Sequence, residues 1–132
     1  MNIGRAKEGD FAYVETEIKA VVQACKGLVV KVILETCLLT KEEIRLACLA
    51  AVNAGAAFVK TSTGFSVAGA SVADVAWMSE CVAGQCQVKA SGGVRNLQDL
   101  LAMVQAGASR IGTSAGVHIA QNSQNHTQES NY

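Results

Sequence analysis

Phe58-Val59-Lys60-Thr61-Ser62-Thr63-Gly64 is the stretch on which the reading of this chain turns. A short apolar run ends in a lysine, and small hydroxyl residues and a glycine follow at once. An apolar strand with this ending delivers an ammonium to its C-terminal end, beside a loop whose backbone can approach a ligand closely. Nearly the same phrase returns at Gln87-Val88-Lys89-Ala90-Ser91-Gly92-Gly93. The two lysines lie about one βα unit apart, so Lys60 and Lys89 are expected to face each other over one site.

Working outward, the same rhythm covers the rest of the chain. Met1 to Gly4 reads as the last residues of a strand, and Arg5 to Asp10 as a loop. Asp10 can cap a helix whose apolar positions Phe11, Val14, Ile18, Val21, Val22 and Cys25 recur at helical spacing. Leu28 to Leu34 is a near-continuous β-branched run, as expected of a strand covered on both faces. Thr40-Lys41-Glu42-Glu43 is a capping box before the helix through Ile44, Ala47, Cys48 and Ala51. Ser71 and Asn96 start two more helices, with Val72, Val75, Met78 and Val82 inward in the first and Leu97, Leu100, Leu101 and Val104 inward in the second. Arg110-Ile111-Gly112 is a last strand, and Thr113 to Gly116 leads into a short helix near 117–120.

Strands alternating with helices of this length imply a parallel sheet with crossover connections, an α/β fold. On pattern alone an open doubly wound sheet and a (β/α)8 barrel both remain. Functional-looking residues at successive strand ends favour the barrel, whose active site collects on that face. A full barrel takes roughly 250 residues, about twice this chain. The expected division is a partial barrel domain over 1–120 and a polar, aperiodic, disordered tail over 121–132.

Composition agrees and excludes several roles. The 132 residues suffice for one domain with a usable core, and half of them are hydrophobic but only 5% aromatic. Eleven basic and eleven acidic residues give zero net charge, with no basic cluster to support a nucleic-acid or membrane-surface role. No apolar run approaches the ~20 residues needed to span a bilayer, and the N-terminus lacks the apolar core of a signal peptide. Five cysteines, odd in number and mostly within apolar segments, suit reduced thiols in a cytoplasmic protein better than a disulfide framework. The only histidines are His118 and His126, which argues against a His-rich zinc site.

The chemistry concentrates on the two lysines. An ammonium is a poor nucleophile, but a second ammonium within a few ångströms disfavours the charged form of both, and burial acts in the same direction. A neutral amine attacks a carbonyl to form a Schiff base, an electron sink for making or breaking a C–C bond. The competing reading is that each lysine simply ends its strand in solvent. Gly92-Gly93 and Gly112 to Ser114 precede helix starts, where backbone N–H groups can bind a phosphate, with Arg95 adding charge; ordinary turn chemistry is the alternative. Glu35 ends the strand before Lys60 and is expected to be structural or orienting, as a partner for one of the lysines.

Taken together, Asn2-Ile3-Gly4 with Gly9-Asp10, Lys31 to Thr36, Phe58 to Gly64, Val88 to Arg95 and Arg110 to Gly116 resemble the C-terminal half of the deoxyribose-phosphate aldolase family. The resemblance runs in order and with the expected gaps to about Ile119. It implies a (β/α)8 barrel and a cofactor-free, metal-free class I aldolase. Such an enzyme cleaves 2-deoxy-D-ribose 5-phosphate to glyceraldehyde 3-phosphate and acetaldehyde. It also implies Lys60 as the Schiff-base lysine and Lys89 as its activating neighbour. Gly64, Gly92, Gly93, Gly112 and Ser114 fall where the family holds the substrate phosphate.

The chain departs from the family at several places. Position 115 is alanine where many relatives have a second serine, and position 65 is phenylalanine where some have a lysine. The family's proton-relay aspartate falls upstream of Met1, as do its first three strands. Half a barrel leaves two sheet edges open, so a homodimer or higher oligomer is expected. The second reading is a non-catalytic half-barrel that binds a phosphosugar or only folds and associates.

Overall fold

Each helix begins where a short polar side chain can take one of its first free amides. In the computed structural model, which describes residues 1–121, Asn2 caps α1 (Ile3–Lys7) and Asp10 caps α2 (Phe11–Ala24). Thr40 and Glu43 form the full capping box of α3 (Lys41–Asn53): the Glu43 amide donates to Thr40 Oγ1 at 3.2 Å and the Thr40 amide to Glu43 Oε2 at 2.7 Å. Ser71 caps α4 (Val72–Val82) and Asn96 caps α5 (Leu97–Gln105). A further helical segment covers 116–121. The tail expected at 121–132 lies, apart from Gln121, outside the described residues.

Between the helices run four short strands, β1 (Lys31–Ile33), β2 (Phe58–Lys60), β3 (Gln87–Ser91) and β4 (Ala108–Gly112). All neighbours are parallel and the sheet order is β1-β2-β3-β4, so each adjacent pair is joined through a helix. These are parallel β/α units of a TIM barrel, about half a barrel. Within this sheet β1 and β4 each pair on one side only.

Strand alternation separates the two faces. Val32, Val59, Val88 and Ala108 are buried in the main core cluster together with residues of the helices. At its centre is α3, which buries Ile44, Ala47, Cys48, Ala50 and Ala51; three alanines let its backbone sit close to its neighbours. Lys60 and Lys89 alternate with those valines and so project from the other face. Phe58, on the same face as Lys60, is 3% exposed but stands apart from that core cluster. It is covered instead by the Arg110 guanidinium, 4.4 Å from its ring centroid, a contact worth about 0.5–2 kcal/mol. A register shift between Val88 and Lys89 sets Lys89 opposite Arg110 rather than Ser109.

Four expectations need correction. Asn2-Ile3-Gly4 enters a helix rather than ending a strand, because the Asn2 side chain accepts from the Arg5 amide and starts a helical turn through the expected loop. The strand at 28–34 shrinks to Lys31–Ile33, with Leu28 and Val29 exposed. Its pairing follows the short β2, and backbone bonds such as Leu34 N–H to Lys60 O at 2.9 Å continue beyond the formal strand. In α5 the buried residue is Met103, while Leu101 and Val104 are about half exposed. Leu97 and Leu100 do pack against the core, but the buried face continues through Met103, and the apolar stripe is wider than that face, so Leu101 and Val104 fall at its margin. Val21 of α2 and Val72 of α4 are likewise half exposed rather than inward.

Among the described residues no helix is long and apolar enough to cross a membrane.

Candidate active site

Lys60 ends β2, and Lys89 is the middle residue of β3. Val59 and Val88 are anchored in the core at 0% and 2% exposure, so the strand backbone carrying each amine is fixed from behind. The register pairs Lys60 with Lys89 directly, on adjacent parallel strands and on the same face. None of the five ion pairs among the described residues involves either lysine.

The hydroxyls that follow the lysines tie the two strand ends together. Ser91 N–H donates to Thr61 Oγ1 at 3.1 Å, and Thr61 Oγ1 donates to Ser91 O at 3.2 Å. Ser91 Oγ donates to Ser62 O at 2.6 Å. Thr61, Ser62 and Ser91 are all buried. These bonds replace the ladder where the strands diverge, and they explain why small hydroxyl residues follow each lysine.

In front of the lysines lies a groove of about 480 Å³. It is lined by Lys60, Lys89, Gly64, Gly92, Gly93, Gly112 and Ser114, all of them expected site residues, and also by Thr63, Phe65, Ser91, Val94, Arg95 and Thr113. No carboxylate is among these lining residues. Two of the glycines are dictated by close approach. A Cβ on Gly112 would stand 2.9 Å from Ser91 Cβ and 3.2 Å from Lys89 Cε, so the missing side chain is the space through which the Lys89 stem passes. Gly92 has φ +81, and a Cβ there would meet the Gly69 Cα at 2.9 Å.

Gly69 is the residue that sequence reading missed. Its own Cβ would fall 2.4 Å from the Gly92 carbonyl carbon and oxygen, where no L side chain fits. The loop after β2 therefore crosses the loop after β3 backbone on backbone, pinned by Ala70 N–H to Ser91 O at 3.1 Å and to Gly92 O at 3.0 Å. No local pattern signals such a crossing, because both glycines sit in loops that are glycine-rich for other reasons. Thr113 ties the third wall, donating from Oγ1 to Val94 O at 2.6 Å and accepting from Ala115 N–H at 3.0 Å.

Glu35 takes a different place from the one expected. It is 5% exposed and does not line the groove; its carboxylate accepts from Thr63 N–H with both oxygens at 3.2 Å rather than pairing with a lysine. Its backbone is left-handed, φ 59 and ψ 63, a conformation that costs a non-glycine residue about 1–2 kcal/mol.

Thiols offer little competition for an electrophile in the core. Burial pushes the Cys48 thiol up to about 12, and burial also raises Cys81 and Cys86. All five cysteines are free. Among the described residues no group of three or more His, Cys, Asp or Glu side chains is placed to hold a metal ion.

Residues 1–125 match the DeoC/LacD family of aldolases. The chain is 58% identical over 124 residues to a deoxyribose-phosphate aldolase of Streptococcus mutans, covering 94% of this chain and 56% of that one. It is 57% identical over 119 residues to the enzyme of the same name from Exiguobacterium sibiricum, covering 90% and 54%. Among solved structures, a putative deoxyribose-phosphate aldolase from Coccidioides immitis superposes with TM-score 0.91 at 44% identity, over 94% of this chain and 50% of that one. The deoxyribose phosphate aldolase of Aeropyrum pernix, described as a unique tetramer, superposes with TM-score 0.78 at 37% identity, over 84% and 49%. The chain thus spans about half the length of the relatives it matches. With its matched fold and its paired lysines, the chain belongs to the DeoC/LacD family of aldolases.

Proposed function

We propose that this chain is a class I aldolase acting on 2-deoxy-D-ribose 5-phosphate, with Lys60 as the Schiff-base lysine and Lys89 as the neighbour that activates it. The observation that carries the proposal is the register of Lys60 with Lys89 at the head of a groove that Gly64, Gly92, Gly93 and Gly112 also line. Gly64, Gly92, Gly93, Gly112 and Ser114 hold the substrate phosphate, through backbone N–H groups and a hydroxyl, and Arg95 supplies charge at the rim.

The neutral Lys60 amine adds to the aldehyde carbon, and the carbonyl oxygen leaves as water to give an iminium. Cleavage of the next C–C bond, between the α carbon and the hydroxyl-bearing carbon beyond it, sends its electron pair into the iminium, leaving an enamine on Lys60 and releasing glyceraldehyde 3-phosphate as that hydroxyl gives up its proton. A proton taken up at the enamine carbon, then water at the imine, releases acetaldehyde. With no carboxylate among the lining residues, Lys89 and water carry these protons.

Incubation with acetaldehyde and sodium borohydride, followed by peptide mass mapping, tests the proposal. The expected product is a reduced adduct on Lys60. An unmodified chain would leave the non-catalytic half-barrel as the reading. Lys89→Ala removes the neighbouring cation, so trapping at neutral pH is expected to fall by about tenfold or more and to recover as the pH is raised. An unchanged pH profile would take Lys89 out of this role.

The open edges of β1 and β4 support a homodimer in which two four-stranded sheets close into one eight-stranded barrel. Light scattering coupled to size exclusion is expected to return twice the chain mass. A monodisperse monomer would overturn this arrangement.

A further inference from the structure

We propose that Glu35 is the positioning residue of the phosphate-gripping loop: its buried carboxylate holds the segment Thr63–Phe65 against the groove from behind. This rests on the reading of that groove as a phosphosugar site and assigns a new task to a residue outside its lining. Glu35 sits just beyond β1, where the chain makes a left-handed step at φ 59 into the turn Thr36–Leu38. The step turns its side chain from the strand towards the loop that follows the neighbouring lysine. Both carboxylate oxygens accept from Thr63 N–H at 3.2 Å, and the side chain makes this contact while only 5% of the residue is exposed.

A second tether runs parallel to the first. The Cys37 thiol lies 3.9 Å from Glu35 Oε1 and 3.4 Å from Ser66 Oγ, so the turn after β1 holds the same loop at both ends of Thr63–Ser66. Between these tethers lie Gly64, at φ +93 with its main chain beside Gly92, and Phe65, which is 97% exposed and whose N–H donates to Thr63 Oγ1 at 3.2 Å. The Thr63 and Phe65 amides are thus both engaged, and the Gly64 N–H between them takes its direction from where Glu35 holds Thr63. The loop's far end is pinned at Ala70 on Ser91 O and Gly92 O, so Glu35 supplies the near-end restraint. An anion-binding loop made of backbone amides works only if those amides are aimed before the anion arrives. The strained backbone of Glu35 is then a device for aiming them.

Two readouts test this, in the full chain. Amide hydrogen exchange by NMR reads the tether alone: in Glu35→Ala the Thr63 amide is expected to exchange about tenfold faster or more, with the buried amides of β2 and β3 unchanged. Lys60 trapping by borohydride reads its consequence. In Glu35→Ala the concentration of 2-deoxyribose 5-phosphate giving half-maximal adduct should rise about tenfold, while that of acetaldehyde, which has no phosphate, should move less than about twofold. Glu35→Gln keeps an oxygen that accepts from Thr63 and should restore most of the difference. Equal losses for both compounds, or Glu35→Gln behaving like Glu35→Ala, would overturn the assignment. So would Thr63 exchange that ignores the alanine substitution. Failure of wild-type trapping with both compounds would instead remove the aldolase reading, while the exchange measurement still decides whether Glu35 holds the loop.

Discussion

Replacing Lys60 with alanine is expected to lower borohydride-trapped adduct by about a thousandfold or more, to background, with the chain still folded. The second half of that expectation follows from packing. Lys60 is only partly buried, has no ion-pair partner among the described residues and stands on a strand fixed by Val59 from the opposite face. Truncation at such a position costs about 1 kcal/mol or less. The first half follows from chemistry: three cysteines that could capture an aldehyde have thiols raised by burial, and Lys89 is held with its stem against Gly112. Lys60→Arg sharpens the result, since a guanidinium keeps the charge but cannot form the imine. Wild-type levels of adduct in either variant would transfer the nucleophile's role to another amine.

Gly69→Ala is expected to have the largest effect on stability of any single methyl addition outside the core. Its Cβ meets backbone at 2.4 Å, and backbone cannot rotate away as a side-chain tip can. Forcing the two loops apart breaks the paired bonds from Ala70 N–H and shifts Gly92, so about 2–3 kcal/mol should be lost together with the shape of the groove. In a thermal melt this amounts to a fall of roughly ten degrees. Gly9→Ala is the matched control: at φ +79 with nothing within 4 Å, it carries only the left-handed backbone cost of about 1 kcal/mol. Equal melting temperatures for the two variants would mean that the crossing does not hold the loops.

Much of the fold was legible because its determinants are local. Thr40 with Glu43, Ser71 and Asn96 each cap a helix from within one turn, and the paired lysine phrases each end a strand. The expected lysines, glycines and Ser114 all border one groove for the same reason, since parallel strands put equivalent ends on one side. What stayed hidden depends on contacts between distant segments. Gly69 matters only because Gly92 lies against it, and Glu35 matters only because its backbone turns left-handed towards Thr63. Asn2 was misread because a cap and a strand end look alike in two or three residues. The phase of α5 was misread in part because Leu97, Leu100, Leu101, Met103 and Val104 make a stripe wider than the face that is buried.

The glycine walls have a consequence for how the groove can change. Gly92 and Gly112 have no room for a side chain without displacing Gly69, Ser91 or Lys89. Mutation therefore cannot retune the groove at those two positions; it can only break it there. Adaptation to a different ligand falls instead to the exposed side chains of the lining: Thr63, Phe65, Arg95 and Ser114. The glycine crossings are closed to gradual variation, and change is left to the exposed rim.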